Sequence, residues 1–355
     1  MPSPVSDSLV AVALSGGVDS AVAAALLQQQ GCRLIGLTMT ILPDDTTTAA
    51  AQQVADHLGI PLQRIDMTAP FNRQVITPFA TSYLNGETPN PCVRCNRLIK
   101  FGLLLDEARR MGAAMLATGH YARVVRDTSG QPHLLAAVDR RKDQSYFLGW
   151  IGSEALDQVL FPLGDLGGKD EVRQLAHQFG LPVAERKESQ DVCFLPESGY
   201  VPFLAAQSGT PRARGLIVHR NGSLLGRHEG FWRYTVGQRK GLGIAWKEPL
   251  YVLELQAARN RVVVGEEPYL YAPGLLAEEM RWFATPPQQG FDATCKIRYR
   301  HAPVVCRVEP CGDEAVQVHF GEPQRAVTPG QTLVIYQSDE VLGAGRIVEA
   351  LCHAD

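Results

Sequence analysis

Three cysteines hold this chain's most reactive side chains. Cys92 and Cys95 stand in Thr88-Pro89-Asn90-Pro91-Cys92-Val93-Arg94-Cys95-Asn96-Arg97, and Cys193 in Lys187-Glu188-Ser189-Gln190-Asp191-Val192-Cys193-Phe194. Pro89 and Pro91 call for a rigid, extended loop. Cys95 is expected at the start of the next helix, where the dipole and Arg94 and Arg97 would lower its pKa and favour the nucleophilic thiolate. A lone C-x-x-C is as readily an incidental pair. A structural zinc would need a fourth Cys or His, and no second C-x-x-C or H-x-x-x-H is present. Cys32, Cys295, Cys306, Cys311 and Cys352 fall in expected strands or turns and read as packing residues.

A second constellation, Leu14-Ser15-Gly16-Gly17-Val18-Asp19-Ser20, directly follows the apolar run Leu9-Val10-Ala11-Val12-Ala13. That run is long enough for a buried strand, and residues 21–27 read as a helix stopping at Gly31. The loop then joins a strand end to a helix start, where unpaired N–H groups and the positive end of the dipole attract an oxyanion. Gly16 and Gly17 let it approach the backbone, and Ser15 and Ser20 add hydroxyl donors. Asp19 fits such a site if it caps the helix or holds a metal that itself binds phosphate. The loop lacks the Gly-Lys-Ser/Thr ending of a Walker A loop and the G-x-G-x-x-G of a dinucleotide fold. An ordinary Gly/Ser turn is the plain alternative; strand, loop, acid and helix in that order argue against it.

The surrounding elements alternate. Strands are expected at residues 33–41, 62–67 and 114–117, and helices at 47–58, 70–84 and 96–111. This βαβ order predicts an α/β fold with a parallel sheet, helices on both faces and ligands at the carboxyl ends of the strands. Ser15 to Ser20, Met39 and Thr118 to His120 all lie there. Met39 is an ordinary core residue elsewhere, but beside a nucleotide loop it could line an adenine pocket. After about residue 205 the composition turns to Gly, aromatic and β-branched residues, with turns at Asn221-Gly222 and Gly241-Leu242-Gly243. Short strands then follow at 293–299, 304–308, 315–320 and 332–336. We expect three domains: 1–205 binding nucleotide, a small central β-rich domain at 206–268, and a C-terminal β-barrel at 269–355.

The chain has 355 residues, 45% of them hydrophobic and 20% charged, with net charge −3. No apolar run is long enough to span a bilayer, and Met1-Pro2-Ser3-Pro4 resembles no signal segment, so a cytoplasmic protein is expected. Eight cysteines are too sparse for a disulfide scaffold.

The glycine loop resembles the SGGxDS loop of the PP-loop ATP pyrophosphatases. The resemblance narrows over nearly the whole chain to the tRNA-specific 2-thiouridylases. It is carried by Ser15-Gly-Gly-Val-Asp-Ser20, Thr88-Pro-Asn-Pro91, Cys95-Asn96 with Ile99-Lys100-Phe101-Gly102, and Ala117-Thr-Gly-His-Tyr-Ala-Arg123. Lys142-Asp-Gln-Ser-Tyr-Phe147, Ser189 through Cys193-Phe194, and Tyr234-Thr-Val-Gly-Gln-Arg-Lys-Gly-Leu-Gly243 complete it.

That resemblance implies ATP on Ala13, Leu14, Ser15, Gly16, Gly17, Val18, Asp19, Ser20, Met39 and Gly119, with Mg2+ on the phosphates. It implies a tRNA partner whose wobble uridine is flipped out, adenylylated at its C2 oxygen and converted to 2-thiouridine. Cys193 would carry a persulfide and Cys95 would attack it, leaving a disulfide; Asp19 would serve the catalytic loop. Asn90 and Pro91 would touch the target base, and His120, Asp143, Gln144, Ser145, Tyr299, Arg300 and Gln331 the tRNA. A sulfur donor (a persulfide relay protein, a cysteine desulfurase or free sulfide) would be needed. Many relatives of this kind carry Asp where this chain has Cys92. Cys92, Cys95 and Cys193 could therefore hold three irons of a [4Fe–4S] cluster whose fourth iron takes sulfide, and the sequence modestly favours that arrangement.

Charge offers a further expectation. Arg94, Arg97, Lys100, Arg123, Arg140, Arg141, Lys142, Arg233, Arg239, Lys240, Lys296, Arg298 and Arg300 would form a phosphate footprint if they share one face; otherwise they are solubilising charges. Arg298-Tyr299-Arg300-His301, taken alone, reads as a solvated strand edge. Two other classes compete. An amidotransferase-coupled, AMP-forming synthetase would need no reactive thiols, and a non-catalytic RNA binder or metal-storage protein would not need Asp19 and Ser20 intact.

Overall fold

Runs of β-branched and aliphatic residues build the first sheet in the computed structural model, which describes residues 8–42, 47–186, 192–207 and 214–351. Its strands are β1 (Leu9–Ala13), β2 (Arg33–Thr40), β3 (Leu62–Asp66), β4 (Met115–Ala117) and, beyond a hairpin of β5 (Ala122–Arg126) and β6 (Pro132–Ala136), β7 (Val159–Leu160). They are parallel, in the order β3-β2-β1-β4-β7. Helices α1 (Val18–Gln29) and α2 (Thr47–Leu58) cover one face with Val22 and Val54. Phe71, Ile99 and Leu104 cover the other. From β1 the chain steps to β2 on one side, and later returns to β4 on the other. The crevice for a ligand therefore opens between the carboxyl ends of β1 and β4.

Two helices depart from expectation. The helix expected at 70–84 starts earlier and runs as Thr68–Phe71, a π-helical turn Asn72–Ile76, and Thr77–Leu84. The helix expected at 96–111 begins at Pro91 and runs as Pro91–Cys95, a π-helical stretch Asn96–Leu104, and Leu105–Arg110. Asn90 starts it: its Oδ1 accepts from Cys92 N at 3.2 Å and Val93 N at 3.4 Å, with Pro91 in the first helical position. Cys95 thus sits inside a continuous helical rod rather than at its beginning.

Four strands form the central sheet: β8 (Gly215–His219), β9 (Leu224–His228), β10 (Leu250–Gln256) and β11 (Arg261–Glu266). Six more make a barrel: β12 (Tyr271–Trp282), β13 (Phe291–Lys296), β14 (Val304–Pro310), β15 (Ala315–Arg325), β16 (Thr332–Gln337) and β17 (Glu340–Leu351). Antiparallel pairing of β12 with β17 closes it. β13 ends before Tyr299, so residues 298–301 form a turn, with His301 N donating to Arg298 O at 3.2 Å, rather than the strand edge expected there.

The β5–β6 hairpin is the main surprise. It lies within the first 205 residues yet joins the barrel sheet, Leu135 pairing with Glu340. Asp127 shapes its turn, its Oδ1 accepting from Ser129 N at 2.8 Å and Gln131 N at 2.9 Å. His133 stands between Glu340 (Nδ1 to Oε1, 2.6 Å) and Asp127 (Nε2 to Oδ2, 3.3 Å), which raise its pKa. Arg123 and Arg140 both reach Asp339 in the adjoining barrel turn.

Candidate active site

The expected phosphate loop spans the gap between β1 and α1. Gly16 takes φ +70°, a region that favours glycine, and Gly17 precedes the helix in extended geometry. Ser20 stitches the turn: its Oγ accepts from Ser15 N at 3.2 Å and donates to Gly17 O at 3.1 Å. Gly119, at the end of β4, lies against this turn so closely that a Cβ there would sit 2.7 Å from Asp19 C and Ser20 N. Ala13 ends β1 and half-buried Met39 lies near the end of β2 beside the loop, whereas the side chains of Leu14 and Val18 are buried in the core beneath it. Ser15 to Ser20 and Gly119 are thus brought together at the end of the parallel sheet.

Sequence reasoning missed three side chains on this loop. Tyr121 OH donates to Asp19 Oδ1 at 2.7 Å, and Lys169 Nζ reaches the same oxygen at 2.7 Å. Arg186 NH1 donates to Gly16 O at 2.9 Å. Lys169 and Arg186 come from far along the chain with no local pattern to mark them; Tyr121 stood inside a quoted motif without a role.

His120 meets Lys100, the cation that also acts on two of the thiols. Its Nε2 lies 3.5 Å from Lys100 Nζ and its Nδ1 2.7 Å from Thr118 Oγ1. An ammonium can only donate, so Nε2 accepts and Nδ1–H donates to the hydroxyl. Burial, and then the Lys100 charge, hold the imidazole well below its usual pKa, so it is neutral.

The thiols differ from expectation. Burial pushes Cys95 up to about 12 and also raises Cys92. Arg94 and Arg97 do not offset this: Arg94 Nε donates to Gln74 O at 2.5 Å, and Arg97 lies over the Trp150 ring at 5.0 Å. Lys100, one turn along, is the cation that lowers both thiols, while Cys193 raises both. Cys193 is exposed, and its neighbour Phe194 is clamped among Phe71, Phe79 and Phe203 at ring distances of 5.8, 5.2 and 5.4 Å. The three cysteines therefore share one electrostatic neighbourhood. Among the described residues, however, no three His, Cys, Asp or Glu side chains are gathered as a metal site. Residues 187–191 and Cys352 lie outside the described residues. Cys295 and Cys306 are packed in the barrel as expected, whereas Cys311 is exposed, its Sγ 3.7 Å from Glu309 O.

The residues expected to meet tRNA divide. Asp143 and Ser145 are 6% and 0% exposed. The Asp143 carboxylate accepts from Ala137 N, Ser145 N and Ser145 Oγ, so these side chains build a turn rather than face a ligand. Gln144 Oε1 accepts from Tyr121 N at 3.1 Å. Gln331 Nε2 donates to Thr88 O at 2.7 Å, pinning the loop that carries Asn90 and Pro91 to the barrel. Tyr299 packs against Phe147 with ring centroids 4.3 Å apart and the rings tilted by 38°, while Arg300 is exposed. Of the expected phosphate footprint, Arg123, Arg140 and Arg141 are held by carboxylates. Arg239, Lys240 and Arg300 are exposed, with no carboxylate partner among the described residues.

Three family models match this chain in sequence: a tRNA methyl transferase HUP domain over residues 8–197, a tRNA methyl transferase PRC-barrel domain over 203–266, and an aminomethyltransferase beta-barrel domain over 272–347. A protein of Pelobacter propionicus named tRNA-specific 2-thiouridylase MnmA is 56% identical over 347 residues, 96% of this chain and 98% of that protein. One of the same name from Trichlorobacter lovleyi is 52% identical over 353 residues, 98% of this chain and 99% of that protein. Similarity of this depth covers nearly the whole length of this chain and of its relatives, and the chain belongs to the tRNA-specific 2-thiouridylase family.

Proposed function

We propose that this enzyme uses ATP to replace the C2 oxygen of the tRNA wobble uridine with sulfur. The observation that supports the reading is a glycine loop cradled by Gly119 in a chain whose Lys100 stands against His120, next to Gly119, and acts on the charge of both Cys92 and Cys95. Methyl transfer, which the family-model description names, would use neither feature.

In this reading the uridine O2 attacks the α-phosphorus of ATP and pyrophosphate leaves with the bridging oxygen's electron pair. Adenylylation turns a poor leaving oxygen into a good one. Cys95 then attacks the Sγ of a Cys193 persulfide; the terminal sulfur departs with the S–S electron pair and adds to C2, and AMP leaves. A Cys95–Cys193 disulfide remains, and an external thiol must reduce it before the next turnover. Exposure of Cys193 suits loading by a sulfur donor, and burial of Cys95 suits protection from oxidation. Neutral His120, hydrogen-bonded to Thr118, stands beside Lys100 without adding charge. Mg2+, when bound, would neutralise the phosphates, with Asp19 the carboxylate at the loop mouth. Cys92, Cys95 and Cys193 are not gathered as an iron–sulfur ligand set among the described residues.

Anaerobic incubation of unmodified glutamate, glutamine or lysine tRNA with the protein, ATP, Mg2+, a persulfide-level sulfur donor such as polysulfide and a reducing thiol, followed by nucleoside mass spectrometry, tests the reading. Appearance of 2-thiouridine is expected. Intact uridine alongside normal ATP and tRNA binding would overturn it. Iron and acid-labile sulfide in the same anaerobic preparation would bring the cluster reading forward.

A further inference from the structure

The loop that receives the triphosphate carries no cation. Residues 14–20 are Leu-Ser-Gly-Gly-Val-Asp-Ser, and their only charge is the negative one on Asp19. Backbone N–H groups and a helix dipole supply a fraction of a unit charge, while ATP brings several negative charges beside a carboxylate. Walker A loops meet that imbalance with a lysine in the loop itself. Here the fold brings one from elsewhere. Lys169 opens the helix Lys169–Gln178, which packs against α1, and its side chain is only 10% exposed. The ammonium lies 2.7 Å from Asp19 Oδ1, and Tyr121 OH donates to that same oxygen at 2.7 Å. The approach to Lys169 is tightly built. Gly168 takes φ +129°, a Cβ on it would meet the Asp139 carboxylate at 2.3 Å, and Gly167 N donates to Glu171 Oε2 at 2.5 Å. A lysine so confined, delivered from about 150 residues downstream to the mouth of the loop, is placed as a fixed charge rather than as a solvated one.

We infer that Lys169 is a phosphate-binding residue, with Asp19 and Tyr121 aiming its ammonium at the pyrophosphate half of the nucleotide. The inference rests on the ATP-dependent reading above and names the group that steadies the leaving pyrophosphate. As the uridine O2–phosphorus bond forms and the bridging P–O bond breaks, the electron pair passes to pyrophosphate, and Lys169 holds the added charge. AMP, lacking the β- and γ-phosphates, is not its ligand.

Calorimetric titration of the full chain with inorganic pyrophosphate and, separately, with AMP provides the test, for wild type, Lys169→Met and Lys169→Arg. Lys169→Met should weaken pyrophosphate binding by about tenfold to a hundredfold, the range of one charge-assisted hydrogen bond, and change AMP affinity by less than about twofold. Lys169→Arg should recover much of the loss. Equal weakening of both ligands, or of neither, would overturn the inference, because a merely structural partner of Asp19 moves them together. A Lys169→Met protein that melts well below wild type is replaced in the comparison by Lys169→Arg. If Lys169→Arg, folded, bound pyrophosphate about a hundredfold more weakly than wild type, the inference would likewise fail. Neither titration requires thiolation, so failure of the proposed reaction would show separately, as missing 2-thiouridine from wild type.

Discussion

A thiol pushed up to about 12 by burial is protonated in neutral solution, and Lys100 is the charge that opposes the shift. Below its pKa the thiolate fraction grows tenfold with each pH unit, and the sulfur-transfer step should therefore quicken steadily from pH 7 to pH 9. Lys100→Met removes the charge that lowers Cys95, moves its titration further alkaline, and should slow 2-thiouridine formation roughly tenfold at pH 8 per unit of added shift. Pyrophosphate release, which needs no thiolate, should be affected less, and rapid-quench assays of the two products would separate them. Gly119 makes a second, purely steric prediction. A methyl group 2.7 Å from Asp19 C and Ser20 N must push α1 or the end of β4 aside. Overpacking of this kind costs about 1–3 kcal/mol, so Gly119→Ala should weaken ATP about tenfold or more in a nucleotide titration, with tRNA affinity retained. The glycine loop was legible because its function is local: backbone, small side chains and a dipole are all written within seven residues. The acidity of Cys95 was not, because neighbouring arginines in sequence turn to Gln74 and Trp150, and burial outweighs them.

Among elements, the helical rod from Pro91 to Arg110 and the β5–β6 hairpin decide how the site is held. π-Helical turns widen a helix, cost stability and persist where function needs them; the one spanning Asn96–Leu104 begins next to Cys95 and includes Lys100. Nothing in apolar periodicity distinguishes it from an ordinary helix, which explains why the rod was anticipated but its start and its winding were not. The hairpin had a readable turn in Asp127-Thr128-Ser129-Gly130, but its partner strand, β17, lies two hundred residues away and no local pattern announces it. His133 makes the junction sensitive to pH. Its raised pKa means that the imidazolium's stabilising contact with Glu340 and Asp127 is fully present below the unfolded value near 6.5, and is lost as pH rises through the higher folded value. His133→Gln should therefore lower the melting temperature more at pH 6 than at pH 9. An equal loss at both would place the effect in packing instead.

Across the whole molecule, net charge of −3 conceals where an RNA could be held. Composition suggested many cations for that purpose; the structure commits Arg123, Arg140 and Arg141 to carboxylates and leaves Arg239, Lys240 and Arg300 exposed in the central and barrel segments. A grip of about six phosphate contacts would make log affinity for tRNA fall with log salt by roughly 4 to 5, and charge reversal at Arg300 should reduce that slope by about 1. A flat dependence in filter-binding measurements would show that the barrel contributes little electrostatic hold. The parallel sheet and the succession of three β-rich or α/β segments were legible from alternation and composition, since each follows from short-range pattern. Barrel closure through β12 and β17, and the docking of Gln331 on Thr88, arise from contacts between distant residues and had no counterpart in the sequence pattern.

The exchange of the hairpin between segments also bears on how such a protein can be divided. Cut near residue 205, the leading fragment would keep β5 and β6 but lose the strand they lean on, exposing a bare, partly apolar edge that invites self-association. The trailing fragment would still close its own six-stranded ring. Limited proteolysis or gene splitting should therefore yield an orderly barrel piece and an aggregating nucleotide piece. Recombination that traded catalytic segments between relatives would succeed only where the hairpin and its receiving strand travelled together.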